Sequence, residues 1–363
     1  MRITTVVIMI LSAMVSVAAC RNNPNYNAAK SHHTAQGFRN NYPHEAKPSF
    51  WKWKWEQLTK GIPRDPANGY GFEVREPDLV ALAANHDQPT LTWIGHATFL
   101  LQASGLNILT DPHFTERASP LSFGGPRRVV PPAIALDDLP HIDAVVISHN
   151  HYDHLDFGSV TRLAKQGGGS PQFFVPLGLK SWFADRGIDR VTELDWWESQ
   201  EISGVKFHCV PVQHWSRRSL NDTNQSLWCG WVIEPQDLRV FFAGDTGYSR
   251  DFADIQQRFG AFDLALLPIG AYEPRWFMKF MHVNPDEAVQ IFQDLHARYA
   301  AAMHWGTFRL TDKLLDEPPR RLATALDAAG VDAKRFFVMQ HGETRALEFL
   351  RQHDVSAAAS ALR

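Results

Sequence analysis

From about residue 90 onward, short runs of β-branched and aromatic residues alternate with polar and turn-forming segments along the chain. Runs of this length and composition are typical of buried strands, whereas apolar residues spaced three and four apart indicate helices. The pattern predicts strands at residues 91–102, 106–110, 143–148, 172–176, 205–212, 227–233, 239–243, 263–268, 299–303 and 335–339. It predicts helices near residues 156–166, 177–186, 250–258, 285–297 and 318–329. We therefore expect an α/β sandwich, with two β-sheets packed face to face and helices outside.

The same pattern sets the predicted domain boundaries. No linker and no run of charge divides residues 90–350, so we predict one domain there and an N-terminal arm packed on it at residues 49–89. The arm begins with residues 50–55, FWKWKW, in which Trp and Lys alternate. Alternation with a period of two predicts a strand or extended segment with one aromatic face. That face either packs on the domain or lies at a membrane interface, where indoles and lysines meet lipid headgroups.

Residues 1–20, MRITTVVIMILSAMVSVAAC, have the features of an export signal. A charged residue precedes an apolar run that is too short to span a bilayer, and small residues follow. The last four residues, Val17–Cys20, resemble a bacterial lipobox, in which the Cys begins the mature chain and carries lipid. We therefore predict a signal peptide at residues 1–19, a polar lipidated tether at residues 20–48, and an exported bacterial lipoprotein anchored on the periplasmic or outer side through Cys20. The alternative is an ordinary signal peptide with an incidental Cys.

Composition narrows the class of protein further. The 363 residues are 44% hydrophobic and 21% charged, as in ordinary globular proteins. A net charge of −3 carries no basic excess, so we expect no nucleic-acid partner. Three cysteines are too few for a disulfide scaffold, and the sequence leaves open whether Cys209 and Cys229 pair. It also leaves the oligomeric state open, with a homodimer as one alternative.

Candidate chemistry is concentrated at one strand end. A buried apolar strand runs directly into the segment Ser148-His149-Asn150-His151-Tyr152-Asp153-His154. In an extended loop, His149 and His151 can turn toward one ion, while Asp153 and His154 point toward a second. Imidazole nitrogen and carboxylate oxygen suit Zn²⁺, with Mn²⁺ and Fe²⁺ as alternatives. Ser148 has no evident base to activate it, so we interpret it as structural.

Three further candidates, His214, Asp245 and His304, each follow a later predicted strand. Taken singly, each is explained as an ordinary structural residue. Taken together with the loop, seven potential ligands at the ends of strands predict a site for two metal ions at one edge of a sheet.

The combined set resembles the ligands of the metallo-β-lactamase superfamily. The resemblance covers roughly residues 90–345 and implies a metallo-β-lactamase-like αβ/βα sandwich with its site along one edge. It implies one metal held by His149, His151 and His214, a second held by Asp153, His154 and His304, and Asp245 as the bridge between them.

A narrower resemblance is to the N-acyl-phosphatidylethanolamine-hydrolysing phospholipase D family. It rests on the metal motif and on the segments Trp93–Thr98, Leu109–Pro112, Pro268–Met278 and Met303–Phe308. The resemblance implies hydrolysis of a membrane phospholipid, with release of N-acylethanolamine and phosphatidic acid. Two metal ions can hold a hydroxide that attacks phosphorus in line with the leaving alkoxide. Asp153 and Asp245 would then be catalytic as well as ligands.

Other residues near these motifs have more than one interpretation. Asp111 is a candidate for orienting a ligand imidazole, and His96 either does the same or packs as an ordinary side chain. His282 either contributes to catalysis, by bonding the phosphate or giving the leaving group a proton, or is a loop residue. The candidates for substrate binding, which either line an acyl groove or belong to the core, are Tyr152, Tyr272, Trp276, Phe277 and Met278.

Three classes of function remain at this point. The first is a membrane-surface metallo-phosphodiesterase that acts on N-acylated phospholipid. The second is another hydrolase of the superfamily, such as a lactonase or a soluble phosphodiesterase. The third is a non-enzymatic zinc-binding lipoprotein, which the complete ligand set argues against.

Overall fold

The computed structural model describes residues 22–43 and 49–350. The predicted signal peptide, Cys20 and the last part of the predicted tether lie outside the described residues. Within those residues, no helix combines the length and the apolar character that crossing a bilayer requires.

The described residues form sixteen strands and eight α-helices. The strands are β1 (His33–Thr34), β2 (Gly37–Phe38), β3 (Thr90–Gly95), β4 (Thr98–Ala103), β5 (Leu106–Thr110), β6 (Ala144–Val146), β7 (Gln172–Pro176), β8 (Val191–Leu194), β9 (Ser199–Ile202), β10 (Val205–Val210), β11 (Gly230–Glu234), β12 (Val240–Phe242), β13 (Leu264–Pro268), β14 (Tyr299–Met303), β15 (Phe336–Phe337) and β16 (Thr344–Ala346). The helices are α1 (Phe50–Lys60), α2 (Leu79–Ala84), α3 (Phe157–Leu163), α4 (Lys180–Ala184), α5 (Asp251–Phe259), α6 (Arg275–Met278), α7 (Pro285–Asp294) and α8 (Glu317–Ala328).

Two seven-stranded sheets dominate the fold. One has the strand order β16-β3-β4-β5-β6-β7-β8 and the other the order β15-β14-β13-β12-β11-β10-β9. Each sheet is mixed. Pairing is antiparallel from β16 to β5 and parallel from β5 to β8, and it is parallel from β15 to β12 and antiparallel from β12 to β9. The two sheets therefore each have a parallel half, whose strands need cover on both faces.

Alternating side chains of the first sheet enter two separate apolar clusters. Leu91 and Trp93 of β3 belong to the large cluster that also contains the strands of the second sheet, whereas Ile94 belongs to a smaller cluster with α3 and α4. Successive strand residues point to opposite faces, so one face packs on the other sheet and one lies beneath helices. The prediction of two packed sheets with helices outside is confirmed.

Strand boundaries differ from the sequence prediction in one instructive place. Residues 91–102 form two strands, β3 and β4, rather than one. Gly95 has a φ of 138° and His96 a φ of 55°, so the chain turns back tightly there. The apolar pattern continues through the turn because both strands are buried, and it therefore hides the break. The strands β8, β9 and β16 were not predicted, and β9 is mostly exposed.

The FWKWKW segment is helical, so the prediction of a strand or extended segment is wrong. Helix α1 spans Phe50–Lys60, and the Ser49 side chain caps it by accepting a hydrogen bond from the Lys52 amide. Trp53 is the buried residue of the helix, and its Nε1 donates to Asp312 Oδ2 at 2.8 Å. The Ser49 cap and the burial of Trp53 against the domain favour the helix, whereas alternation of Trp and Lys over six residues is a short local signal.

Residues 22–43 lie on the domain instead of forming a free tether. The hairpin β1–β2 carries His32 and His33, whose Nε2 atoms lie 2.7 Å and 2.8 Å from the two carboxylate oxygens of Asp195. Lys30 Nζ and the Trp196 amide bond the same carboxylate at 2.6 Å and 2.7 Å. Hydrogen-bond donors surround the buried carboxylate of Asp195, and these charge-assisted hydrogen bonds fix residues 22–43 to the domain.

Cys209 of β10 and Cys229, just before β11, are buried as free thiols. Burial raises the pKa of both thiols, which keeps them protonated. They belong to the core between the sheets.

Candidate metal centre

The loop that follows β6 carries four of the predicted ligands to one edge of the sandwich. Later residues reach the same edge because they follow strands of the second sheet: His214 after β10, Asp245 after β12 and His304 after β14. All but two of the seven are buried; His151 is half-buried, and Asp153 has a side chain that is 13% exposed. The structure brings all seven predicted ligands together.

Three imidazoles converge in the first group. His151 Nδ1 lies 2.8 Å from His149 Nε2 and 3.2 Å from His214 Nε2. The far nitrogen of His214 donates to the Met281 carbonyl at 2.9 Å, so its Nε2 carries a lone pair. His149 is fixed in the same way, because its Nδ1 donates to the Ser148 hydroxyl at 2.9 Å. Two lone pairs thus point at one nitrogen of His151.

Carboxylates join imidazoles in the second group. His154 Nε2 lies 3.1 Å from His304 Nε2 and 3.3 Å from Asp153 Oδ2. Asp245 stands between the two groups: its oxygens lie 3.1 Å from His154 Nε2, 3.0 Å from His304 Nε2 and 4.0 Å from His214 Nε2. One carboxylate thus faces ligand candidates of both groups.

These distances fit metal coordination. Ligand nitrogens about 2.0–2.1 Å from a tetrahedral Zn²⁺ are themselves about 3.3 Å apart, close to the spacings in both groups. One N–H of His151 cannot serve the two lone pairs aimed at it with good geometry, whereas one cation can accept all three nitrogens. The donor set of imidazole nitrogens and carboxylate oxygens suits Zn²⁺, Mn²⁺ or Fe²⁺.

The two groups differ in the charge they favour. Burial lowers the pKa of His151 to about 4 and holds the pKa of His149 and His214 well below the ordinary value. In the second group burial also disfavours charge, but the Asp245 carboxylate raises the pKa of His304 to about 9. The first group therefore offers neutral lone pairs. In the second group the carboxylates attract positive charge, and a bound cation would take the place of the proton on His304.

Asp111 organises the ligands from behind. Its carboxylate bonds His154 Nδ1 at 2.6 Å and also accepts the Ser148 hydroxyl at 2.6 Å and the Ser148 amide at 2.7 Å. Through Ser148 it also orients His149, so one buried acid fixes the rings of both groups. His96 Nε2 lies 3.1 Å from Asp153 Oδ2, so His96 can orient that ligand carboxylate; the predicted alternative was a ligand imidazole.

A cleft of about 770 Å³ opens onto the metal centre. His151, Asp153, Asp245 and His282 lie at its base, with His282 Nδ1 at 3.7 Å from Asp245 Oδ2. Its walls are largely apolar and are formed by Phe50, Trp53, Leu220, Phe277, Met278 and Met281. The predicted substrate-binding residues Tyr152, Phe277 and Met278 all line this cleft.

The other two candidates for substrate binding, Tyr272 and Trp276, are not among the residues that line the cleft. Tyr272 is buried, and its hydroxyl donates to Glu317 at 2.9 Å. Trp276 turns toward α1, where its Nε1 donates to Glu56 at 3.1 Å. Neighbours on a short helix point to different faces, so one aromatic run cannot line one wall throughout.

Sequence reasoning did not assign Phe50, Trp53 or Leu220 to the site. Phe50 and Trp53 reach the cleft from α1, and Trp53 stacks on Phe277 with ring centroids 4.8 Å apart. The FWKWKW run was a signal for apolar contact, but its period suggested the wrong element. Leu220 lies in a polar loop and gives no signal in the sequence.

Comparisons with known proteins agree with this geometry. Residues 106–305 match the beta-lactamase superfamily domain. The chain is 45% identical over 250 residues to N-acyl-phosphatidylethanolamine-hydrolyzing phospholipase D 1 of Caenorhabditis elegans, a match that covers 65% of this chain and 69% of that protein. It is 40% identical over 246 residues to the mitochondrial N-acyl-phosphatidylethanolamine-hydrolyzing phospholipase D of Saccharomyces cerevisiae, covering 66% of this chain and 52% of that protein.

Among solved structures, a metallo hydrolase from the archaeon Ignicoccus hospitalis superimposes with a TM-score of 0.55 at 23% identity. The match covers 72% of this chain and 98% of that one. At this identity the likeness concerns the fold alone.

Proposed function

The chain belongs to the N-acyl-phosphatidylethanolamine-hydrolysing phospholipase D family of the metallo-β-lactamase superfamily, and from this premise we propose that it hydrolyses N-acyl-phosphatidylethanolamine to N-acylethanolamine and phosphatidic acid. The chain is a metal-dependent hydrolase of that superfamily. The proposal concerns the substrate, the bond that breaks and the identity of the metals.

Two zinc ions are the proposed cofactors. His149, His151 and His214 would hold one ion, Asp153, His154 and His304 the other, and Asp245 both. Two such ions supply a hydroxide nucleophile at neutral pH and offset the charge that develops on a phosphoryl group. The protein's part is to fix these ligands, and Asp111 does so for His154 and, through Ser148, for His149.

His282 is the proposed contact for the phosphoryl group. It lines the cleft beside Asp245, and its side chain is 15% exposed. Burial lowers the pKa of its imidazole to about 4, so the ring is neutral at pH 7. A neutral ring favours donation of a hydrogen bond to a phosphoryl oxygen over delivery of a proton to the leaving group.

The single observation that carries the proposed substrate is the apolar cleft that ends on the metal ligands. Aromatic and Met side chains give a wall that can accommodate flexible acyl chains. Arg217 and Arg218 also border the cleft, which suits an anionic phosphodiester. A small soluble phosphodiester without acyl chains would need no such wall.

Membrane attachment is part of the proposal. We propose that Cys20, which lies outside the described residues, carries lipid and anchors an exported enzyme at the bacterial membrane surface. Cell fractionation of Cys20→Ala should find the protein released from membranes or retained as its precursor. Normal processing together with unchanged membrane association would refute the lipidation.

Bond choice is tested with ¹⁸O-labelled water. Purified protein is incubated with N-acyl-phosphatidylethanolamine, and the products are analysed by mass spectrometry. Attack at phosphorus with departure of the ethanolamine oxygen places the label in phosphatidic acid and leaves N-acylethanolamine unlabelled. Asp245→Ala serves as the control for contaminating lipase.

Other products would contradict the proposal. Label in free fatty acid, or release of diacylglycerol, would show that a different bond breaks. Turnover of a lactone or a soluble phosphodiester with none of this lipid would favour another hydrolase activity of the superfamily.

A further inference from the structure

Helix α1 has its apolar stripe on the outside. Trp51, Trp55 and Leu58 are 80%, 64% and 78% exposed. Their spacing of four and three residues places them in one row along the helix. Trp53, the buried residue of this helix, lies on the opposite face at 100° per residue. A helix that packs on a soluble domain ordinarily buries its apolar row, so this orientation requires another explanation.

Lysines flank the exposed row. At 100° per residue, Lys54 lies on one side of it and Lys52 on the other, and both side chains are exposed. Their ammonium groups stay near the domain edge, 4.4 Å above the rings of Trp53 and Trp276 respectively. The acidic residue of this helix, Glu56, is paired with Lys60 at 3.2 Å. A chain with a net charge of −3 thus presents a basic, aromatic ridge, formed by Trp51, Lys52, Lys54, Trp55 and Leu58.

The helix that carries the ridge also lines the cleft, through Phe50 and Trp53. Two loops that also line the cleft carry exposed apolar side chains: Leu220, which lines the cleft, is 84% exposed, and Phe123, three residues after the cleft-lining Pro120, is 80% exposed. Three segments that line one cleft therefore each carry exposed apolar side chains.

We propose that α1 docks on the surface of an anionic phospholipid bilayer. Trp51, Trp55 and Leu58 would enter the boundary between headgroups and acyl chains, and Lys52 and Lys54 would meet lipid phosphates. A lipid surface fits both the aromatic row and the flanking positive charge. The docking is independent of a lipid on Cys20 and of which bond the enzyme breaks, so its test is separable from both.

Vesicle binding tests the proposal directly. The mature chain, residues 20–363, carries Cys20→Ser in every form, so that neither the apolar signal peptide nor an acyl group contributes, and it is sedimented with vesicles of phosphatidylglycerol and phosphatidylcholine. The variant Trp51→Gln/Trp55→Gln/Leu58→Gln should bind at least about tenfold more weakly than the parent chain. A matched control, Leu79→Gln/Val80→Gln, removes exposed apolar side chains from α2, which does not line the cleft, and should bind like the parent.

A second variant tests the charge and guards against misfolding. Lys52→Glu/Lys54→Glu changes two exposed positions, and it should lose binding to phosphatidylglycerol vesicles and much of the salt dependence. Metal content and circular dichroism report whether each variant is folded.

Three outcomes would overturn the proposal. One is equal binding of the parent chain and the triple variant to anionic vesicles. Another is equal binding of the parent to pure phosphatidylcholine vesicles, which would remove the role of charge. The third is self-association of the parent in lipid-free solution that the triple variant abolishes, because the ridge would then be an interface between two copies of the chain.

Discussion

Two clusters of histidine and aspartate in this molecule look alike in composition and differ in chemistry. The metal centre gathers imidazoles and carboxylates at the cleft, and the cluster of His32, His33 and Asp195 fastens the N-terminal segment. Both are mostly buried, and both have atoms close enough to hold an ion. Residue type and proximity therefore do not separate a metal site from a structural contact.

The difference lies in where the protons are. At Asp195 every close approach joins a donor to a carboxylate oxygen, and Lys30 already supplies the positive charge. In the group of His149, His151 and His214, nitrogens face nitrogens, and the far atoms of His149 and His214 hold the protons that would otherwise lie between them. Hydrogen bonds complete the first cluster, whereas a cation completes the second.

The largest effect should come from Asp245→Ala. We expect activity to fall by at least about 10⁴-fold, beyond the usual range for one proton-transfer residue, because this carboxylate faces both ligand groups. Elemental analysis should find about two transition ions in the parent chain and fewer in the variant. Asp195→Asn is the control and should keep both ions. Loss of an ion from that control would place a metal at the N-terminal cluster and break the comparison.

His282→Ala should have the next largest effect. Activity should fall by about 10²–10³-fold with the metal content unchanged, because we propose that this ring, at the base of the cleft beside Asp245, contacts substrate rather than metal. His208→Ala, at a half-buried histidine bonded to Glu234 at 2.8 Å, is the matched control and should retain activity. A loss in His282→Ala greater than that in Asp245→Ala would contradict the assigned roles.

Asp111→Asn tests the support behind the ligands. The amide keeps the shape of the side chain but loses its charge, so His154 should be held less firmly and metal affinity should fall about 10–100-fold. Competition with a fluorescent zinc chelator measures the change. Unchanged affinity would mean that packing alone orients the rings.

Asp195→Asn should leave catalysis nearly unchanged and lower stability by about 3 kcal/mol, because it removes the charge from a buried carboxylate that bonds several donors. These donors lower the pKa of Asp195 from its ordinary value of 3.8 although burial opposes them. The carboxylate therefore stabilises the fold fully above about pH 4, and the difference between parent and variant should shrink progressively as the pH falls from that value toward the lower pKa of Asp195 in the folded chain. Chemical unfolding at several pH values measures it, and a constant difference would contradict the role of charge.

The metal centre was predictable because its signal is local. His149, His151, Asp153 and His154 follow one apolar strand within six residues, and strands of one sandwich bring their ends to a common edge. Asp195 and His33 are separated by 162 residues, and neither stands in a pattern that indicates chemistry. The exposed row of α1 was not predictable for another reason. The alternation of Trp and Lys is typical of a strand, and only the burial of Trp53 in the structure shows which side of the helix faces the domain.

The docking of residues 22–43 limits how far a lipid anchor could let the enzyme move. Asn22 borders a small cavity that it shares with Arg218, and Arg218 also borders the cleft. A covalent chain reaches at most about 3.6 Å per residue, so a lipid on Cys20 would be attached within about 7 Å of Asn22. So short an anchor would hold the edge of the cleft at the bilayer surface. The enzyme would then reach its substrate by lateral diffusion in two dimensions.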